Sequence, residues 1–207
     1  MDCRKRLRCI AAALWTIFCA GTTSALALPL TTTISATGSG TLGAASFNNA
    51  SFAITSVGDT AARQPISSSV GFYIDNTTAS INISGIGLAN FTLATRIFVN
   101  NTFSVAGFSR AGAGGDDILD VDGAPFTSWN MLTNVGPIFD ADLVPIRQAQ
   151  NLSTTLGSLS FSSYSNATFQ AVIPEPTCAG TSAALLSVLK LTARRRRNVT
   201  LARSCAL

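Results

Sequence analysis

The sequence predicts an all-β protein. The expected body is a single antiparallel domain of β-sandwich or jelly-roll-like architecture over residues 28–172, with an apolar segment on either side. Three observations carry that reading. Short runs rich in Val, Ile, Phe and Thr recur through the middle of the chain, separated by Gly, Asn and Ser. No long segment there has helical periodicity. The 207 residues, 47% apolar and 12% charged, suffice for one core of ordinary size.

In chain order, the runs at 52–57, 70–74, 80–84, 90–99 and 102–108 read as strands, followed by 143–147, 156–161 and 167–173. Within 90–99, the residues Phe91, Leu93, Ile97 and Val99 fall on one face with the period of two that a half-buried strand requires. Asn100-Asn101 then makes a hairpin-like turn into Thr102-Phe103-Ser104-Val105. Residues 126–135 have room for one short turn of helix. No internal repeat is present. Many short strands without intervening helices argue for antiparallel packing.

Charge divides the chain more sharply than its total suggests. The formal net charge is +4, yet residues 28–173 hold four Arg (63, 96, 110, 147), eight Asp, no Lys and no Glu, a balance of 4 − 8 = −4. The basic residues gather in the two tails. A nucleic-acid-binding body needs a basic face, and this body is acidic. The chain has no His, which excludes a Ser-His-Asp machine and any His-ligated metal. Its Cys residues stand at 3, 9, 19, 178 and 205, so the middle is not a disulfide scaffold.

The first 27 residues read as a signal peptide. Arg4, Lys5, Arg6 and Arg8 form a positive start, residues 9–20 an apolar run, and Ala25-Leu26-Ala27 a small-x-small cleavage site. The run is too short for a permanent membrane span. Cleavage after Ala27, by way of Ala25 and Ala27, is expected to follow Sec-type export.

Residues 173–197 read as a second address, followed by a tail at 198–207. Ile173-Pro174-Glu175-Pro176 places two prolines where a strand or helix must break. A mostly apolar stretch at 178–193 comes next, with the length of a short membrane helix. Arg194, Arg195, Arg196 and Arg197 would hold its end in the cytoplasm, and Lys190 is near enough to that end to snorkel. This order of Pro174, Glu175 and Pro176, apolar helix and Arg run resembles the PEP-CTERM sorting signal of exported bacterial proteins. The resemblance implies passage through the inner membrane, handling by an exosortase-type membrane protease, and a final place in the cell envelope or outside the cell. Two stretches of the body, 108–112 and 129–138, are also similar to PEP-CTERM proteins, and bring no activity with them.

One segment of the body could carry chemistry. Asp116, Asp117, Asp120 and Asp122 put four carboxylates within seven residues beside the Gly-rich 112–115. Hard oxygen ligands on a flexible loop suit Ca²⁺, and the segment looks like one turn of a Gly-rich Ca²⁺ repeat. A solvated Asp/Gly turn would have the same composition. Ca²⁺ is the one cofactor these residues suggest; otherwise none is expected. Paired carboxylates among Asp59, Asp75, Asp140 and Asp142 would be needed for glycoside hydrolysis, but each sits beside turn-forming residues. The four Arg of the body are expected to pair with Asp.

Three functions are thus compared. The leading expectation is a non-catalytic exported protein of the envelope or extracellular matrix, whose uncharged surface of Asn, Ser and Thr suits surrounding polysaccharide. The second is a carbohydrate-binding module that uses Tyr73, Trp129 or Tyr164 as a stacking platform, with Ca²⁺ at the Asp segment. A glycoside hydrolase-type enzyme comes third.

Overall fold

The computed structural model describes residues 28–67, 70–112, 117–140 and 151–174. All regular structure among them is strand, apart from two 3₁₀ turns at Thr60–Ala62 and Ala124–Thr127. The strands are β1 (Pro29–Leu42), β2 (Ala45–Asp59), β3 (Gln64–Ser67), β4 (Gly71–Ile83), β5 (Gly87–Asn90) and β6 (Thr95–Asn100). They continue with β7 (Val105–Arg110), β8 (Asp117–Asp122), β9 (Val135–Asp140), β10 (Leu152–Thr154) and β11 (Gly157–Val172). The chain divides into two compact units, Met1–Ile173 and Pro174–Leu207.

Every pairing is antiparallel, in the order β10-β11-β1-β2-β4-β6-β7-β8. Three short strands attach to the long ones: β3 and β5 to β4, and β9 to β11. The sheet then nearly closes on itself. At one end Phe91 bridges Thr154, and Thr155 N donates to Asn90 O at 2.9 Å, joining the end of β5 to β10. At the other end β8 comes alongside β9, where Asp122 N donates to Asp140 Oδ2 at 2.9 Å. The two layers of the expected sandwich are therefore parts of one continuous sheet.

Four long strands make the fold possible, and bulges make the strands bend. β1 alternates with even-numbered residues inward: Leu30, Thr32, Ile34, Ala36 and Leu42 are buried. In β2 the buried positions are Phe47, then Phe52, Ile54 and Ser56, so the alternation changes phase between them. The change coincides with a register shift opposite Gly38 and Gly40, where Asn49 takes the left-handed φ of 47°. β11 shifts likewise near Asn166, at φ 56°. Asn tolerates this backbone region better than most residues, and each extra residue turns the strand more steeply.

The core fills the space that these bends enclose. Phe126, Trp129 and Phe169 pack at one end, with Phe126 and Phe169 edge to face at 5.1 Å. Phe47, Phe52 and Phe161 pack at another, with Phe52 and Phe161 at 4.8 Å. Burying a side chain of this size contributes about 1.5–3 kcal/mol. The inward hydroxyls of Thr32 and Ser56 satisfy one another at 2.7 Å, as buried polar groups must.

Several boundaries differ from those read in the sequence. The expected strands at 70–74 and 80–84 are one strand, β4, because Asp75-Asn76-Thr77-Thr78 forms a bulge rather than a turn. The expected strand 90–99 is broken at 91–94 between β5 and β6. The hairpin after it is present, with residues 101–104 as the turn and Asn100 paired to Val105. The short helical turn lies slightly earlier than expected. β1 is absent from the expected runs, since most of its outward positions are Thr or Ser. The expected strand 143–147 lies outside the described residues.

Candidate functional site

Residues 117–122 of the Asp segment are a strand, not a loop. Ile118, Leu119 and Val121 are each fully buried, and their burial holds 117–122 against β7 as strand β8. Phe108 pairs with Leu119 and Ser109 with Asp117, so Ile118 is a bulge residue, which lets two successive side chains point inward. Asp117 and Asp122 are exposed at the ends of the strand, and Asp120 is half-buried between them. Asp116 lies outside the described residues.

Asp120 stands at the end of a cross-strand row that runs Tyr73, Phe98, Gly107, Asp120 over β4, β6, β7 and β8. Gly107 is required there. A Cβ at this position would come within 2.5 Å of both Asp120 Oδ1 and Leu119 O, and 2.8 Å of Phe98 Cζ. The carboxylate thus occupies the space the missing side chain leaves. Its Oδ1 is buried without a hydrogen-bond partner among the described residues. Burial, and then the charges of Asp117 and Asp122, push the Asp120 carboxyl up to about 7. Asp122 is also raised, by burial first and then by Asp140 across the seam. The Tyr164 hydroxyl is raised by burial and by the charges of Asp120 and Asp140.

Burial and neighbouring like charges in this acidic seam oppose ionisation of Asp120 and Asp122. Among the described residues no group of three or more His, Cys, Asp or Glu is placed to hold a metal ion. The remaining candidate acids have structural partners. Asp59 Oδ1 accepts from Ala61 N at 2.8 Å and caps the first 3₁₀ turn. Asp75 pairs with Arg96 at 3.1 Å, as the sequence suggested for the Arg residues of the body. Asp140 is buried and accepts from the Asp122 backbone. Asp142 lies outside the described residues.

The three aromatics considered as a sugar platform differ in what covers them. Trp129 is only 4% exposed, with its Nε1 donating to Thr133 O at 2.8 Å, so it is a core residue and offers no stacking face. Tyr73 is half-buried beneath the Arg96 guanidinium, which lies 4.2 Å from its ring centre. Tyr164 is half-buried and packs against the core. Arg63 lies over the Phe72 ring at 4.3 Å and donates to Asn130 O at 2.7 Å.

The sorting residues fall at the margin of the structure. Ile173 N donates to Asn134 Oδ1 at 2.7 Å, just beyond the last residue of β11, and Pro174 follows as an exposed residue. Glu175, Pro176 and Arg194 to Arg197 lie outside the described residues, as do Ala25, Ala27 and the expected apolar helix. Among the described residues no helix is long and apolar enough to cross a membrane. Comparison of the chain with protein-family models, curated proteins and solved structures finds no match.

Proposed function

We propose that the chain is an exported, non-catalytic protein of the cell envelope or extracellular matrix, sorted through its C-terminal segment. One observation carries the reading. The order Pro174-Glu175-Pro176, apolar stretch, Arg194 to Arg197 begins two residues after Val172, the last residue of β11. A sorting signal needs that position, because the processing machinery must reach it while the body is folded. The N-terminal segment, with its basic start and Ala25-x-Ala27, supplies the matching export step. The expected partners are Sec-type export components and an exosortase-type protease.

The test is fractionation of cells expressing the full chain or a Pro174→Ala, Glu175→Ala, Pro176→Ala variant. The variant is expected to fold normally and to accumulate at the inner membrane, while the native chain reaches the envelope or medium with an N-terminus near Leu28. Identical distribution of the two chains in a host that has the protease would overturn the sorting reading.

A further inference from the structure

The outward face of β11-β1-β2-β4 carries a groove that the sorting reading does not use. Thr168, Ser35, Ala53 and Asn82 stand side by side in one cross-strand row, one from each strand. In the next row Thr37 pairs with Ser51, and Ser84 N donates to Ser51 O at 2.9 Å. The register shift near Asn166 falls between the two rows and the one near Asn49 just beyond the second, so the sheet bends across this face. The result is an open groove of about 520 Å³.

Its lining is uncharged, with Ala36, Phe52 and Ala53 set among polar side chains. Ser35, Thr37, Ser51 and Thr168 present hydroxyls, Asn82 and Asn166 present carboxamides, and no lining side chain is charged. Ser35, Ser51, Asn82 and Asn166 are exposed. Hydroxyls and carboxamides both donate and accept hydrogen bonds, which matches the hydroxyls of a neutral sugar. An anionic ligand would find no counter-charge in the groove and a body of net charge −4 around it. Neighbouring strands lie about 4.8 Å apart, so the four strands span about 14 Å. That spacing is close to the advance of an extended glycan by one pyranose ring per strand.

We propose that this groove binds a neutral polysaccharide, with roughly three sugar units lying across the strands. The site belongs to the β body and holds whether or not the tail acts in sorting.

Titration calorimetry of the full-length protein with dextran, hydroxyethyl cellulose and mixed-linkage β-glucan tests the proposal, with alginate as the anionic control. At least one neutral polymer is expected to bind. Thr37→Arg and Ser51→Arg, which fill the groove, should weaken that binding by about tenfold or more. Asn82→Ala adds no bulk, so it reports even if the Arg variants do not fold, and should weaken binding by about fivefold. Gln64→Arg, exposed on β3, should bind as the native chain does. Binding to none of the three neutral polymers would overturn the proposal, as would binding to alginate alone or equal binding by all variants. Self-association on gel filtration that is lost in Thr37→Arg would assign the groove to a second copy instead, and would also overturn it.

Discussion

Replacing Asp120 by Asn should change how stability depends on pH more than it changes stability itself. In the fold this carboxyl titrates near 7, against 3.8 for an ordinary Asp. Between those values the folded chain holds a proton that the unfolded chain has released. Raising the pH through that window therefore costs stability, and the loss levels off above pH 7. Each pH unit well inside the window is worth about 1.4 kcal/mol, so moving from pH 5 to pH 7, where the group is half ionised, removes roughly 2 kcal/mol through this one group. Asp122, raised for related reasons, acts in the same direction. The carboxamide of the Asp120→Asn variant would have no proton to lose and nearly the same shape. Urea unfolding of both chains at pH 5, 6, 7 and 8, followed by the fluorescence of buried Trp129, measures the difference. The stability gap between Asn variant and native chain should move in the variant's favour by about 2–3 kcal/mol from pH 5 to pH 8. A gap that stays constant would show that Asp120 is ionised throughout, and would refute the reasoning from burial and neighbouring charge.

Three further outcomes follow from packing and from the seam. Phe169→Ala, which removes the ring that both Phe126 and Trp129 touch, should cost about 3–5 kcal/mol in urea unfolding, whereas Phe139→Ala, 63% exposed on the adjoining β9, should stay within about 0.5 kcal/mol. Gly107→Ala must displace Asp120, the Leu119 carbonyl and Phe98 and should destabilise by about 1–3 kcal/mol, somewhat less in an Asp120→Ala background that removes one of the three contacts, which a double-mutant cycle would detect. Millimolar Ca²⁺ should leave the melting temperature of the native chain unchanged, and a rise that disappears in Asp117→Asn and Asp120→Asn would return the acidic strand to the role of a metal site.

The β character of the body was legible because it rests on local composition: Phe52, Ile54, Ile81, Ile83, Ile97 and Val99 alternate as strands require. What escaped was long-range or hidden by polar residues. β1 is central in the sheet, yet its apolar side is spread over Leu30, Ile34, Ala36 and Leu42 between Thr and Ser, which reads as loop. Asp75-Asn76-Thr77-Thr78 has the composition of a turn, and only its partners Val57 and Gly58 show it to be a bulge inside β4. The near-closure of the sheet depends on Phe91 meeting Thr154, a pairing that no local pattern announces.

The acidic segment shows why residue type alone misleads about local structure. Counting carboxylates at 116–122 points to a loop, solvated or around a cation, because hydrophilic clusters beside glycines usually are loops. The competing signal is Ile118, Leu119 and Val121, three apolar residues within the same seven. Burying them is worth several kcal/mol, more than solvating the acids between them can offset, so the segment becomes a strand and the acids are set beside one another along it. Composition fails in the opposite direction for the groove. Abundant Ser, Thr and Asn announce a polar, uncharged surface, but only register brings Ser35, Ser51, Asn82 and Asn166 onto one face. Chemistry that depends on a single short segment can be read and misread from sequence. Chemistry assembled across four strands is set by bulges such as those at Asn49 and Asn166, and in a chain this rich in Asn a bulge looks like any other polar position.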